Sequence, residues 1–272
     1  MTLAPPYDLL AQAYDDVIGR DFFERIRRVF EHLIARYQIG FSSAADLGCG
    51  TGLFARYLNA LWRVPVFGVD LSPAMLRVAA SNCRDTNVIL LQQDIRRLRL
   101  PTRVDLVTAN FDALNHLVND GELPRLFQLV YDHLHLGGHF IFDFITPCDP
   151  LGAATMIRQT PSRDGRRHVT QRIRWVPGQR MLFYEVLFRD SARSAPQLEL
   201  HLERAYWPRD VATWLMDAGL LLRDALDAVT LQPATACHRR IIVVAQKAES
   251  IIPVPRTTSA AAPLDHSPAS LP

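Results

Sequence analysis

The hydrophobic and polar positions of this chain follow two alternating periods. Short, mostly apolar runs predict β-strands over 44–47, 64–69, 87–92, 103–109 and 139–145. Between them, apolar residues recur at helical spacing and predict helices over 21–37, 52–61, 73–82 and 121–135. A Gly137-Gly138 pair predicts a turn between the last of these helices and the last strand. Strands that alternate with helices favour an α/β fold with a parallel sheet, in which a ligand binds at the carboxyl ends of the strands.

The pattern changes after Pro150. Strand-like composition, interrupted by turn residues, predicts an antiparallel insertion with strands near 167–176, 181–190 and 198–206. The remaining elements are a helix over 208–218 and strands near 220–230 and 239–246. From Glu249 the chain is rich in Ala, Pro, Ser and Thr, which predicts a disordered tail.

Composition and charge narrow the classes of partner. The net charge of +2 leaves no large basic excess to neutralise nucleic-acid phosphates. No apolar run is long enough to span a bilayer, and Pro5, Pro6 and Asp8 interrupt any secretory signal. The 4 cysteines form no CxxC pair, and no histidine pattern predicts a metal site. We therefore expect a cytoplasmic monomer or homodimer that binds no membrane, nucleic acid or metal.

The most informative motif is Asp46-Leu47-Gly48-Cys49-Gly50-Thr51-Gly52, between a buried strand and a helix. Glycine permits close backbone approach, and a helix N-terminus offers free N–H groups to a polar ligand. A dinucleotide fingerprint needs a further glycine where Leu53 stands, and a phosphate-binding P-loop needs a lysine that this stretch lacks. The acidic Asp46 suits a cofactor with an amino group better than a pyrophosphate.

Two further acidic residues follow predicted strands. Asp70 ends the second strand, 22 residues after Gly48, where a carboxylate can accept hydrogen bonds from both hydroxyls of a ribose. Ser72 and Pro73 then open a helix as its N-cap and first residue. Asp94 follows the third strand. The three acidic residues therefore come after three successive strands, where a nucleoside cofactor would be held.

These strings, DLGCGTG at 46–52 and DLSPAML at 70–76, resemble the motifs of the class I methyltransferases, which bind S-adenosylmethionine. The resemblance extends over about residues 5–248, is strongest from 44 to 145, and is to the small-molecule branch of the family. It implies a Rossmann-like three-layer sandwich with a mostly parallel seven-stranded sheet and an antiparallel β insertion after the fifth strand. The last two strands would form an antiparallel hairpin at the end of that sheet.

The resemblance also implies a division of the chain into five segments. They are an N-terminal helical lid (1–40), a cofactor-binding core (41–150), the insertion as a lid over the acceptor pocket (151–207), the C-terminal part of the core sheet (208–248) and the disordered tail (249–272).

The expected cofactor contacts come from the same resemblance. Asp46 would face the amino end of the cofactor, Asp70 its ribose, and Asp94 its adenine amino group. Met75 fits either a contact with the adenine ring or an ordinary core position, and Asp94 also fits a simple loop cap. The full set of implied contacts is Tyr14, Asp46, Gly48, Gly50, Asp70, Leu71, Met75, Asp94, Ile95 and Asn110.

The sequence singles out no catalytic residue. A neutral amine can attack a methyl group unaided, whereas a hydroxyl usually needs a general base. The candidates for such a base are Asp112, His116 and Asp143, with His201, Glu203 and Tyr206 from the insertion. Each also fits a structural role: a helix cap for Asp112, a core-facing turn for His116, and surface strand positions for the others.

The main hypothesis is a methyltransferase that acts on a nitrogen or oxygen of a small molecule. Nitrogen is slightly favoured because the insertion resembles those of amino-sugar and amine N-methyltransferases. Two alternatives stay open: a catalytically silent cofactor-binding regulator or partner subunit, and a tRNA or rRNA methyltransferase. The second loses support because Asn110-Phe111-Asp112-Ala113 lacks the Pro-Pro motif of base-amine methyltransferases. Leu53 also disfavours a nicotinamide-dependent reductase.

Overall fold

Two β-sheets, one of seven strands and one of five, organise the chain. The computed structural model describes residues 2–148, 155–161, 167–190 and 195–248. The predicted tail over 249–272 and the predicted start of the insertion at 151–154 lie outside these ranges. Within these ranges, no helix combines the length and apolar character needed to cross a bilayer.

The strands and helices are numbered in chain order. The strands are β1 (Thr2–Ala4), β2 (Ala44–Leu47), β3 (Val66–Asp70), β4 (Val88–Gln92), β5 (Val104–Ala109), β6 (Leu134–Ile145), β7 (Thr155–Pro161), β8 (Arg167–Val176), β9 (Met181–Asp190), β10 (Gln197–Arg204), β11 (Leu220–Asp227) and β12 (Arg240–Lys247). The helices are α1 (Ala11–Tyr14), α2 (Arg20–Tyr37), α3 (Leu53–Trp62), α4 (Pro73–Asn82), α5 (Glu122–His133) and α6 (Pro208–Asp217). A π-helical turn, Asp15–Gly19, joins α1 to α2.

The larger sheet has the strand order β4-β3-β2-β5-β6-β12-β11. The first five strands are parallel, and β12 pairs antiparallel with both β6 and β11. The predicted Rossmann-like class and the antiparallel hairpin at the end of the sheet are confirmed. Strands β3 and β4 are added on one side of β2, and β5 and β6 on the other. The carboxyl ends of β2 and β5 therefore open a crevice at this topological switch point.

The core lies on both faces of this sheet, as the side chains of β6 show. Phe140 and Phe142 face a cluster that includes Phe127 of α5, whereas Ile141 faces a cluster that includes Phe30 of α2. Successive strand residues point to opposite faces, so a continuous apolar run is what a strand covered on both sides requires. The structure therefore has three layers, with α2 and α3 on one face and α5 and α6 on the other.

The predicted turn at Gly137-Gly138 is wrong. Helix α5 ends at His133, and β6 begins at once at Leu134 and continues through both glycines. Gly137 has a φ of +79°, and a Cβ at Gly138 would lie 2.9 Å from the carbonyl oxygen of Asp105. The pairing with β5 shifts register at the same place, so the glycines form a bulge inside the strand.

The smaller sheet has the order β1-β10-β9-β8-β7, antiparallel except where β1 joins β10. The strands predicted near 167–176, 181–190 and 198–206 are present, and β1 and β7 are additions that the pattern did not reveal. Strand β10 has its polarity inverted: Glu199, His201 and Glu203 are at most 5% exposed. Between them, Leu200 and Leu202 are 42% and 41% exposed. The inner face of β10 is therefore a polar surface enclosed within the protein.

The N-terminal segment is fastened at two points. The carboxylate of Glu199 accepts hydrogen bonds from the backbone N–H groups of Leu9 and Leu10, at the start of α1. At the other end, Thr51 of the glycine-rich loop donates to Asp15 at 2.5 Å. A carboxylate that satisfies otherwise free N–H groups at a helix start stabilises that helix end. These bonds hold residues 5–19 across the carboxyl edge of the larger sheet.

Removal of the first fastening has a measurable effect. We expect Glu199→Ala to leave the Leu9 and Leu10 N–H groups without their acceptor and to cost about 1–3 kcal/mol of unfolding free energy. Hydrogen exchange should accelerate over residues 9–14, while the core strands keep their protection. Glu185→Ala is the matched control, since Glu185 lies on the adjacent strand with a side chain 45% exposed. Equal exchange in the two variants would contradict the role of Glu199.

Candidate functional site

A cavity of about 530 Å³ lies at the carboxyl ends of β2, β3, β4 and β5. The N-terminal segment and residues 200–202 of β10 close it from the opposite side. All the cofactor contacts implied by the sequence line this cavity: Tyr14, Asp46, Gly48, Gly50, Asp70, Leu71, Met75, Asp94, Ile95 and Asn110. The fold therefore brings together residues that are up to 96 positions apart in the chain.

The glycine-rich loop forms one wall of the cavity. Gly50 has a φ of +53°, and a Cβ built there meets no atom within 4 Å. Gly52 has a φ of +78°, and its Cβ would lie 2.9 Å from the sulfur of Cys83. Gly52 is thus required for packing against α4, whereas Gly50 leaves space that a ligand can occupy.

Asp70 ties this loop to the next one. Its carboxylate accepts a hydrogen bond from the N–H of Gly50 at 2.8 Å and another from the N–H of Ser72 at 2.8 Å. Burial raises the pKa of Asp70, and the backbone N–H groups oppose that shift. A carboxylate has about four acceptor positions, so Asp70 keeps capacity for the hydroxyls of a ribose.

The start of α4 is built as the sequence predicts. The Ser72 hydroxyl accepts a hydrogen bond from the N–H of Met75 at 3.2 Å, and Pro73 is the first helical residue. This cap fixes Met75, which is 2% exposed and both lines the cavity and packs against Ala11. Its side chain therefore forms part of the cavity wall and also packs against the N-terminal segment.

Asp94 has a partner that the sequence did not suggest. Arg96 approaches its carboxylate at 2.7 Å and also pairs with Glu122 at 3.1 Å. The hydrogen bond from Arg96 lowers the pKa of Asp94, so this carboxyl is ionised at neutral pH. Asp94 also caps the short 3₁₀ helix Ile95–Arg97 by accepting from the N–H of Arg96.

Two buried polar side chains in the cavity lining, Asp46 and Asn110, retain hydrogen-bonding capacity. Asp46 is 3% exposed, and burial raises its pKa to about 7 although the Thr108 hydroxyl, which donates to it at 2.8 Å, and the Asn110 side chain oppose that rise. Asn110 is 4% exposed, and neither atom of its amide makes a hydrogen bond of normal geometry to a described residue. Buried polar groups are normally satisfied, so both residues fit a ligand that carries an ammonium or another strong donor.

The three candidate bases occupy different surroundings. His116 lines the cavity, whereas Asp112 and Asp143 do not. Both of these carboxylates pair with Arg240, which approaches Asp112 at 2.7 Å. The geometry therefore brings only His116 of these three to the cavity.

The ring of His116 is held by two contacts. Its Nδ1 lies 3.1 Å from the carbonyl oxygen of Leu202, which can only accept, so Nδ1 carries the hydrogen. Nε2 then accepts from the Tyr7 hydroxyl at 2.8 Å. Burial lowers the pKa of His116 to about 4, so the ring is neutral at physiological pH.

The remaining candidates come from the smaller sheet and its end. His201 lines the cavity, and its Nε2 lies 3.2 Å from the Glu199 carboxylate. Glu203 is buried behind His116, 3.8 Å from its Nε2, and burial raises the pKa of Glu203. Tyr206 lies outside the cavity lining and donates to the carbonyl of Leu117, a structural contact.

Three residues near the cavity escaped the sequence reasoning. Tyr7 lines the cavity, Glu199 holds the segment that covers it, and Arg240 binds two candidate bases. The surface strand positions that the sequence allowed for His201 and Glu203 are wrong, because both side chains are buried on the same face of β10 as Glu199. Among the described residues, no group of three or more His, Cys, Asp or Glu side chains is arranged to hold a metal ion.

Comparison with known proteins relates the central part of the chain to a known domain family. A family model described as a methyltransferase domain matches residues 44–138, from β2 into β6. This range contains the glycine-rich loop and the acidic residues after β3 and β4. The match assigns residues 44–138 to a methyltransferase domain. Solved structures that share the fold include an amino pentose methyltransferase bound to S-adenosylmethionine, at a TM-score of 0.63 and 22% identity.

The curated relatives of this chain are named for different acceptors. The chain is 30% identical over 132 residues to a dTDP-3-amino-3,6-dideoxy-alpha-D-glucopyranose N,N-dimethyltransferase of Streptomyces fradiae, covering 48% of this chain and 49% of that one. It is 37% identical over 110 residues to a trans-aconitate 2-methyltransferase of Escherichia coli O1:K1 / APEC, covering 39% and 42%. The chain spans about half the length of the curated relatives it matches.

The likeness in fold extends beyond the part of the chain that is aligned by sequence. An S-adenosylmethionine-dependent methyltransferase from Clostridium acetobutylicum ATCC 824 superposes with a TM-score of 0.75 at 24% identity, covering 89% of this chain and 99% of that one. At this identity the likeness establishes the fold alone. The smaller sheet therefore belongs to an architecture that other proteins share.

The raised pKa of Asp46 predicts a pH dependence of stability. An unfolded aspartate titrates near pH 4, so between about pH 4 and 7 the folded protein binds more protons at Asp46 than the unfolded chain. This residue's contribution to stability therefore falls as the pH rises through that window. We expect Asp46→Asn to raise the unfolding free energy by roughly 1–4 kcal/mol at pH 8 and to change it little at pH 4.

Urea unfolding at several pH values measures this difference. Asp85→Asn is the control, since its side chain is 87% exposed and its replacement should leave the difference from wild type independent of pH. A constant difference between Asp46→Asn and the wild type across pH 4–8 would refute the assignment.

Proposed function

We propose that this protein transfers a methyl group from S-adenosylmethionine to a nitrogen or oxygen of a small molecule. The observation that carries the proposal is one cavity in which the glycine-rich loop, Asp46, Asp70 and Asp94 share a lining with His201 and the adjacent Leu200 and Leu202 of β10. Three carboxylates at or just beyond the ends of successive strands offer a nucleoside cofactor a place, and His116 and the β10 residues offer a second molecule its contacts.

The residues of the cavity fit the cofactor part by part. Asp46 and the unpartnered Asn110 amide would hold its ammonium end, which supplies the donors that these buried groups lack. Asp70 would accept from the ribose hydroxyls. Asp94 and the N–H of Ile95 would hold the adenine, with Met75 in the same wall. The empty space above Gly50 fits close approach of the cofactor to the backbone.

The protein would contribute to methyl transfer mainly by positioning the two reactants. S-adenosylmethionine, when bound, supplies a methyl group on a sulfonium sulfur, and the electron pair of the broken bond stays on that sulfur. The enzyme must hold the acceptor atom in line with this bond and exclude water. The N-terminal segment, which is bound to Glu199 and, through Asp15, to Thr51, covers the cavity and would exclude water from it.

The charges around the cavity favour nitrogen as the acceptor atom. Among its lining residues, Arg96 is the one side chain with a permanent positive charge, and it is already paired with Asp94 and Glu122. The buried carboxyl groups of Glu199 and Glu203 lie behind the opposite wall. Such a site offers no unpaired permanent cation to a carboxylate or phosphate and suits an acceptor that carries an amine.

A matched pair of glycine substitutions tests the cofactor site. Gly50 and Gly121 both have positive φ, at 53° and 81°, and a Cβ at either position meets nothing within 4 Å. Only Gly50 lines the cavity. Both alanine variants therefore carry similar backbone strain, but we expect only Gly50→Ala to weaken S-adenosylmethionine binding, by about tenfold or more in calorimetry. Equal affinities would argue against the cavity as the cofactor site.

Turnover tests the activity itself. We expect incubation with labelled S-adenosylmethionine and a panel of small amines to form S-adenosylhomocysteine and an equal amount of methylated amine. Carboxylic acids of the same carbon skeletons should give none, because the site lacks a free cation. Binding of the cofactor without turnover on any acceptor would favour the regulator hypothesis, and no binding would remove the proposal.

A further inference from the structure

The turn after β5 contains two consecutive residues in the left-handed region. Phe111 has a φ of 60° and Asp112 a φ of 63°. Non-glycine residues rarely adopt this conformation, which is disfavoured by contact between the Cβ and the backbone. Such a turn persists only where surrounding contacts over-determine it, and it is typical of functional sites. The contacts that hold this turn are therefore informative.

Arg240 supplies the main contact to Asp112. Its Nη2 donates to Oδ2 of Asp112 at 2.9 Å, and its Nη1 lies 2.7 Å from Oδ1 as an ion pair without a hydrogen bond. Nη1 donates instead to Asp143, which lies on the neighbouring strand β6. A planar guanidinium presents its N–H groups in a fixed fork, so one group can bind Asp112 while another binds Asp143.

The same guanidinium is linked to Phe111 through Phe22 of α2. Its central carbon lies 5.7 Å from the centre of the Phe22 ring. The Phe22 ring in turn meets the Phe111 ring edge to face, with centres 5.1 Å apart. Arg240 therefore contacts Asp112 directly and is linked to Phe111 through the ring of Phe22.

The turn carries the residues on either side of it into the cavity. Asn110, with its unpartnered amide, precedes the turn, and the 3₁₀ helix Ala113–His116 follows it. Ala113 abuts the glycine-rich loop, since a Cβ at Gly48 would lie 2.7 Å from the Cβ of Ala113. Arg240 and Asp112 themselves are outside the cavity lining.

We infer that Arg240 is a positioning residue of the methyltransferase site. It holds Phe111 and Asp112 in the left-handed turn and so aims Asn110 and His116 into the cavity. The expected effect on cofactor affinity rests on the proposed function. The effect on the conformation of the turn does not depend on it. The two effects can be measured separately.

The first arm measures cofactor affinity by calorimetry. We expect Arg240→Gln to weaken S-adenosylmethionine binding by about tenfold or more, and Arg240→Lys, which keeps the charge but not the fork, to fall between it and the wild type. Arg84→Gln is the control, because the Arg84 side chain is 78% exposed and pairs with an exposed Asp85. Wild-type affinity in Arg240→Gln would overturn the inference.

A second pair of variants separates positioning from general stability. Asp112→Gly and Asp112→Ala both remove the carboxylate, but only glycine adopts the left-handed conformation without strain. When each substitution is added to Arg240→Gln, we expect the Asp112→Gly double variant to bind S-adenosylmethionine severalfold more tightly than the Asp112→Ala double variant. The same comparison in the wild-type background covers the case in which Arg240→Gln does not fold. Equal affinities of the glycine and alanine variants would refute the role of the turn.

The third arm needs no cofactor. The N–H of Asn115 donates to the carbonyl of Asp112 at 2.8 Å, so its hydrogen exchange reports on the turn. We expect exchange at Asn115 to be at least about fivefold faster in Arg240→Gln and slower again when Asp112→Gly is added. If the wild type binds no S-adenosylmethionine, the proposed function fails while this arm still decides the inference. Unchanged exchange at Asn115 would overturn it.

Discussion

The contact on which the site depends is the buried carboxylate of Asp70, which accepts hydrogen bonds from the N–H groups of Gly50 and Ser72. It joins the loop after β2 to the loop after β3 at the edge where parallel strands end. One loop leads into α3 and the other is capped into α4, so the bonds set how two helix starts face the same space. Burial of this carboxylate is costly, and the backbone N–H groups compensate for it without adding a positively charged side chain to the loops.

The opposite wall uses the same kind of compensation in a different part of the chain. Glu199 on β10 satisfies the N–H groups that begin α1, and its other oxygen meets His201. Strand β10 therefore turns its polar residues inward, whereas the neighbouring strands of the smaller sheet bury apolar side chains such as Val169 and Leu182. The buried acids of β10 have partners close by, because Glu199 binds the N-terminal segment and Glu203 lies beside the His116 ring.

Much of the fold, and the convergence of three acidic residues on one cavity, could be predicted from short stretches of sequence. Asp46, Asp70 and Asp94 lie at or just beyond the ends of apolar strands, and parallel strands bring their carboxyl ends to one edge, so local pattern implied a common site. The base candidates could not be ranked in this way. Asp112 and Asp143 are ordinary acids until Arg240 is brought beside them from 97 or more positions away. The Gly137-Gly138 pair was misread for a related reason, because a glycine bulge in a strand and a glycine turn have the same local signature.

The sequence by itself determined the order of most strands and helices and the methyltransferase domain at 44–138, with its glycine-rich loop and acidic strand ends, because these depend on residues that are neighbours along the chain. Only the tertiary structure decided which face of β10 is enclosed, that Tyr7 and Leu202 hold a neutral His116, and that Arg240 binds Asp112. These are contacts between segments whose pairing no periodicity encodes. Their strength depends on burial, which removes water as a competing partner and is a property of the whole fold.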